Sequence, residues 1–91
     1  MGLVAYRVEI TRSAEKDLGK LDSQIAKRIA AAIRALAEDP HPPGVDKLAG
    51  RKFGWRIRVG GWRVLYDVYD DLLVIDIIRV QPRGQVYKNK R

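Results

Sequence analysis

Three short segments in the second half of the chain place arginine on strand-like sequence: Trp55-Arg56-Ile57-Arg58, Trp62-Arg63 and Arg83-Gly84-Gln85-Val86-Tyr87. A guanidinium stays protonated at any ordinary pH and offers planar, bidentate donors that match phosphate oxygens. No usual metal ligand or nucleophile stands among them. The chemistry these residues suit is therefore holding a phosphodiester and stabilising charge as it breaks. Trp62 and Tyr87 add aromatic faces on which unpaired bases can stack.

The charge distribution supports a polyanionic partner. The chain has 91 residues and a formal charge of +7. Before residue 47, seven basic residues are matched by seven acids; from Lys47 onward eleven basic residues face only Asp67, Asp70, Asp71 and Asp76. An excess confined to one half points to nucleic acid, an acidic partner segment or anionic lipid rather than to general solubility. There is no cysteine, which excludes disulfides and thiolate metal sites and fits a reducing compartment. No apolar run reaches the roughly 18 residues of a spanning helix, and the first residues lack a secretory layout. A soluble, cytoplasmic, single-domain protein over residues 1–91, with no membrane association, is expected.

The elements that must position the arginines are legible in outline. Residues 4–10 alternate and read as a first strand. Thr11 or Ser13 caps a short helix, with Glu15 and Asp17 in its first turn and Gly19 weakening it. Asp22 or Ser23 caps a longer one, in which Ile25, Ile29, Ile33 and Leu36 form one stripe of period 3.6. Pro40 ends it, and residues 39–44 form a rigid turn. Three strands follow: 55–59, 62–69 and 72–80, joined by the two-residue turns Gly60-Gly61 and Asp70-Asp71, with Pro82 stopping the last. The order β-α-α-β-β-β implies an α+β fold, a helical hairpin packed on a small, mostly antiparallel sheet.

Side chains alternate across a strand. Arg56 and Arg58 therefore share one face while Trp55, Ile57 and Val59 take the other, under the helices. Arg63 lies just across the Gly60-Gly61 turn, within reach of Arg58. Arg79 and Arg83 come from the end of the third strand and beyond. Pairing of these arginines with Asp67 and Asp76 is the competing arrangement, with Trp62 in the core. His41 sits among prolines with no partner visible in the sequence and reads as structural. Asp70 and Asp71 suit a hairpin turn, so a metal site built from the acids is not expected.

Taken in order, Asp46-Lys47-Leu48-Ala49-Gly50, Trp55-Arg56-Ile57-Arg58, Trp62-Arg63-Val64-Leu65-Tyr66 and Arg83-Gly84-Gln85-Val86-Tyr87 resemble the RelE/ParE toxin superfamily over essentially the whole chain. The resemblance implies a microbial-ribonuclease-like fold. It also implies one of two activities: ribosome-dependent cleavage of messenger RNA in the A site (the RelE branch), or non-catalytic inhibition of DNA gyrase (the ParE branch). Position by position, it implies that Arg63 contacts the scissile phosphate, that Arg83 joins it, and that Tyr87 stacks on a base and assists proton transfer. Arg56 and Arg58 fall where the RelE branch carries a basic pair. The expected catalytic set is Arg63, Arg83, Tyr87 and Arg58, and the RNA-binding set is Arg56, Arg58, Lys52, Arg79 and Trp62, with no metal or cofactor.

Many relatives have His-Arg where this chain has Pro82-Arg83, so a histidine acid or base is missing. The ParE branch generally lacks the full arginine–tyrosine set, which favours the RNA-cleaving reading. A catalytically decayed RNA- or ribosome-binding module is the third possibility. In each toxin case the partner implied is a cognate antitoxin with an acidic, partly disordered segment.

Overall fold

Two side-chain caps set the helices. In the computed structural model, which describes residues 5–82, Thr11 Oγ1 accepts from the Ala14 amide at 3.2 Å and opens α1 (Arg12–Gly19). Asp22 Oδ1 accepts from the Ile25 amide at 3.0 Å and opens α2 (Ser23–Leu36). Each satisfies a first-turn N–H that a helix leaves unpaired, a contribution of about 1 kcal/mol. Ile29, Ile33 and Leu36 are buried as the stripe requires, while Ile25 is half-buried.

Five strands carry the rest: β1 (Arg7–Ile10), β2 (Asp46–Lys47), β3 (Gly54–Val59), β4 (Trp62–Tyr69) and β5 (Val74–Pro82). Their order across the sheet is β1-β5-β4-β3-β2. β1 runs parallel to β5 and every other pair is antiparallel. The fold is two helices on a mixed five-stranded sheet, and its core joins Ala14 of α1 and the α2 stripe to Ile57, Val64, Tyr66, Val68, Ile75, Ile77 and Val80.

Three local expectations are corrected. The residues leading into the sheet form a strand of their own, β2, because Asp46 and Lys47 pair with Arg56 and Trp55. The second hairpin connection is four residues, Asp70–Leu73, and Leu73 takes a left-handed conformation at φ 56°. β5 does not end at Val80 but runs on through Gln81 to Pro82, opposite Trp62.

β1 covers only Val74–Ile77 of β5, so the edge of β5 beyond it needs another partner. The start of α1 supplies it. Thr11 Oγ1 donates to the Ile78 carbonyl at 3.1 Å, and Asp17 accepts the Val80 amide at 2.8 Å. Asp17 also accepts from Arg79 through Nε at 2.9 Å and Nη2 at 3.2 Å. Burial by itself would raise the Asp17 carboxyl, but the hydrogen bonds from Arg79 and Val80, with the charges of Arg79 and Lys20, hold it below the usual range. A lowered folded pKa gives stability that is present above the unfolded value near ~3.9 and lost as pH falls through the folded one. Asp17→Asn is therefore expected to lower stability at pH 7 by about 1.5–3 kcal/mol, the worth of hydrogen bonds to a charged group. Urea unfolding should show the difference from the parent shrinking between pH 5 and pH 3.

On the face away from the helices, Glu9, Asp76 and Asp67 stand side by side on β1, β5 and β4. Asp67 is buried and satisfied by Arg51 (2.6 and 3.2 Å) and the Tyr69 hydroxyl (3.2 Å); Glu9 has Arg7 at 3.0 Å. Asp76 has no ion pair among the described residues. Its carboxyl is raised by burial first, then by the charges of Glu9 and Asp67 and by hydrogen bonding with Glu9. Here the sign reverses: the folded state holds a proton the unfolded chain has lost, so stability falls as pH rises through this range. Asp76→Asn is expected to gain about 0.5–1 kcal/mol at pH 7, and the gain should vanish below pH 4 in the same unfolding assay.

Candidate nucleic-acid interface

The β3–β4 hairpin fixes the arginine geometry. Gly60, at φ 61°, takes the first central position of the two-residue turn, the place where a type II′ hairpin requires glycine. That turn sets Val59 opposite Trp62, Arg58 opposite Arg63 and Ile57 opposite Val64. Arg58 and Arg63 are thus direct cross-strand neighbours on the face away from the helices. Counting from the closing Val59–Trp62 pair, theirs is a non-hydrogen-bonded pair, in which side chains come closest.

Like charges directly opposite destabilise a sheet, and nothing described here neutralises these two. Among the described residues the ion pairs are Arg7–Glu9, Arg51–Asp67, Arg56–Asp46 and Arg79–Asp17. Arg58 is exposed, and the Nε of Arg63 is buried with no hydrogen-bond partner among the described residues. A desolvated, unpaired donor costs about 1–3 kcal/mol. A bound anion would offset the repulsion between the two guanidiniums.

The other expected residues are distributed differently. Arg56 lies on the Arg58 face, but its Nη2 is held by Asp46 of β2 at 3.0 Å, and its Nε is buried without a partner. Arg79 is tied to Asp17 at the β5 edge and is not a free cation. Lys52 sits in the loop before β3, at the far end of that strand from Arg58, with its ammonium 5.4 Å from the Phe53 ring centre. Trp62 is on the helix-covered side, half-buried against the core with Val59, so it does not share a face with Arg58 and Arg63. The structure brings Arg58 and Arg63 together, with Arg56 beside them; Arg79 stands in register with Leu65 and Arg56 on that face but its guanidinium is held by Asp17, and Lys52 and Trp62 lie elsewhere. Arg83 and Tyr87 lie outside the described residues.

The competing arrangement, Asp67 and Asp76 paired with this arginine set, does not occur among the described residues. Asp67 takes Arg51, a loop residue the sequence reading did not single out. The residues that reading missed are the carboxylates that hold Arg56 and Arg79, namely Asp46 and Asp17. Asp46 does open the motif Asp46-Lys47-Leu48-Ala49-Gly50, and the structure gives that motif a physical basis. The Lys47 ammonium donates to the carbonyls of Arg51 (2.6 Å) and Gly54 (3.1 Å), and Gly50 at φ 83° allows the loop between them to close. His41 does have a partner: its ring meets Trp55 edge-on at 4.5 Å. Among the described residues no group of three histidine, aspartate or glutamate side chains could hold a metal ion, and no helix is long and apolar enough to cross a membrane.

The face of the sheet away from the helices thus carries an opposed arginine pair with no carboxylate partner among the described residues, a positively charged surface. Comparison with known proteins places that surface in a family. A family model described as the ParE toxin of type II toxin–antitoxin systems, parDE, matches residues 8–87. A RelE-like toxin protein of Escherichia coli is 34% identical over 86 residues, covering 90% of each chain. Among solved structures, the toxin chain of the archaeal RelE–RelB complex from Pyrococcus horikoshii superimposes with a TM-score of 0.79 at 32% identity, over 89% of this chain and 98% of that one. The toxin–antitoxin complex RelBE2 of Mycobacterium tuberculosis gives 0.78 at 28% identity, over 92% and 98%. The chain belongs to the ParE/RelE family and is a RelE-like toxin of a type II toxin–antitoxin system.

Proposed function

We propose that this toxin is a metal-independent endoribonuclease that enters the ribosomal A site and cuts messenger RNA there, arresting translation. The observation that carries the reading is the Arg58–Arg63 opposition, which is unfavourable for the folded chain alone and suited to a phosphodiester. The resemblance of Arg63, Arg83 and Tyr87 to the RelE catalytic set supports it.

The reaction follows from what the side chains can and cannot do. The RNA's own 2′-oxygen attacks the adjacent phosphorus in line and the bond from phosphorus to the 5′-oxygen breaks. The products are a 2′,3′-cyclic phosphate and a 5′-hydroxyl, with the proton lost at the nucleophile balanced by one gained at the leaving oxygen. Arg63 and Arg83 clamp the non-bridging oxygens as charge grows on them, and Arg58 holds the same phosphate from the opposite strand. Such electrostatic stabilisation is commonly the largest catalytic term. Arg56, its charge offset by Asp46, contributes remaining N–H donors to the backbone contact. Tyr87 stacks on a base or donates to the leaving oxygen; with an unperturbed phenol pKa near ~10 it serves better as acid than as base. No strong base is present at neutral pH, and Pro82 stands where many relatives place a histidine. Orientation by the ribosome must therefore supply much of the rate, and free RNA should be cut poorly.

The partner that fits is a cognate antitoxin whose acidic, partly disordered segment covers the basic face or displaces the tail Lys88-Asn89-Lys90-Arg91, in the cytoplasm. Both solved relatives described above are toxins in complex with an antitoxin. Binding of this kind should weaken with salt.

Primer extension on a translating ribosome complex tests the reading. A new RNA end within the A-site codon, dependent on both toxin and ribosome, is the expected result. Ribosome binding without a cut would identify a decayed, purely binding protein. No ribosome binding, with inhibition of supercoiling instead, would establish the gyrase-directed alternative.

A further inference from the structure

The tip of the β3–β4 hairpin carries features that the arginine pair does not account for. Arg28 reaches across from α2: a Cβ placed on Gly60 would stand 3.3 Å from its Nη2 and 3.4 Å from its Nη1. Among the described residues Arg28 has no ion pair, so a third unneutralised guanidinium sits at the tip, on the helix side. Beside it a cavity of about 130 Å³ is lined by Ile25, Arg28, Ile29, Val59, Gly61 and Trp62. Gly61 completes the pattern. Its φ lies outside the left-handed region, and a Cβ there would meet nothing within 4 Å. The fold does not demand glycine at 61; what glycine supplies is bare backbone, which lets a ligand approach closely.

We propose that the RNA strand held by Arg58 and Arg63 crosses the bare Gly60-Gly61 tip, so that the neighbouring nucleotide sets its phosphate on Arg28 and its base against Trp62. This rests on the RNA-cleavage reading and extends it to a second nucleotide subsite on the opposite side of the hairpin. It gives Trp62 a stacking role from the helix-covered side, where the structure places it. Stacking supplies most of the base's binding.

The test uses the full-length toxin carrying Trp55→Phe, which leaves Trp62 as the only tryptophan. Single-stranded hexauridylate, labelled at one end, is titrated at low salt while oligonucleotide anisotropy and Trp62 emission are recorded together. Expected are coincident midpoints with quenched emission, and loss of both signals in Arg58→Ala/Arg63→Ala. Arg28→Ala should reduce the slope of log K against log salt by about 0.7, the value for one phosphate contact to a single strand. Gly61→Leu should weaken binding roughly tenfold, within the worth of one stacked base, with unchanged thermal unfolding. An oligonucleotide abasic at the crossing position should bind through the arginines without quenching. Binding that depends on Arg58 and Arg63, with Trp62 emission, the Arg28 slope and the Gly61→Leu affinity all unmoved, would overturn the subsite and leave the cleavage reading intact. Binding indifferent to Arg58 and Arg63 would overturn both.

Discussion

Arg63→Ala is expected to lower A-site cleavage by about 10²–10³, the cost of removing one preorganised donor to a developing oxyanion, without weakening the fold. The two halves of this expectation have one cause. Arg63 faces Arg58 directly across the β3–β4 ladder, its Nε is buried and unpartnered, and no carboxylate among the described residues offsets it. Removing it relieves a like-charge pair and a desolvated donor, so unfolding in urea should show unchanged or slightly higher stability, by up to about 1 kcal/mol. A residue retained for structure would behave in the opposite way. Arg79→Ala makes the contrast, because Arg79 is paired with Asp17 at the β5 edge and should cost stability first. Single-turnover cleavage on programmed ribosomes, measured beside urea unfolding for both variants, separates the two roles. Full cleavage by Arg63→Ala together with Arg83→Ala would defeat the catalytic assignment.

The arginine pair was legible in the sequence because everything that sets it is local. A two-residue Gly-Gly turn fixes the hairpin register, and strand alternation then puts Arg58 and Arg63 on one face. The stripe of Ile29, Ile33 and Leu36 was legible for the same reason, and the caps were narrowed to Thr11 or Ser13 and Asp22 or Ser23, of which the fold uses Thr11 and Asp22. What could not be read depends on which strands become neighbours. Asp17 meets Arg79 from 62 positions away only because α1 continues the β5 edge where β1 stops. Asp46 reaches Arg56 only because residues 46 and 47 add a strand beside β3. The sequence offered Asp67 and Asp76 as competing partners for the arginines; strand order gives Arg56 and Arg79 to Asp46 and Asp17 instead. Leu73 defeated the turn assignment by entering the left-handed region, a conformation its side chain disfavours.

The other large effect falls on stability alone. Tyr66 is fully buried in the middle of β4, opposite Trp55 of β3 and Ile77 of β5, beside the irregularity in the β4–β5 pairing. Its hydroxyl donates to the Pro40 carbonyl at 2.7 Å, joining the sheet to the turn that ends the helical layer. Burial, with the nearby charge of Asp39, pushes the phenol well above its ordinary pKa, so the hydroxyl remains a donor at any working pH. Tyr66→Ala removes an aromatic ring from the centre of the core and is expected to cost about 3–5 kcal/mol. Against a total stability of roughly 5–15 kcal/mol for a domain, that removes from about a fifth of the stability to nearly all of it. Tyr66→Phe isolates the hydrogen bond: the ring stays, the buried Pro40 carbonyl loses its donor, and the expected cost is about 1–3 kcal/mol. At ~4–8 °C per kcal/mol for a domain of this size, calorimetry should register a clear fall in Tm. The same variant, held well below its new Tm, should cleave at the parent rate, because the hairpin register that opposes Arg58 to Arg63 does not depend on the Pro40 contact. Loss of cleavage by folded Tyr66→Phe would mean that the turn after α2 helps position the arginines, which the geometry of the hairpin alone does not require.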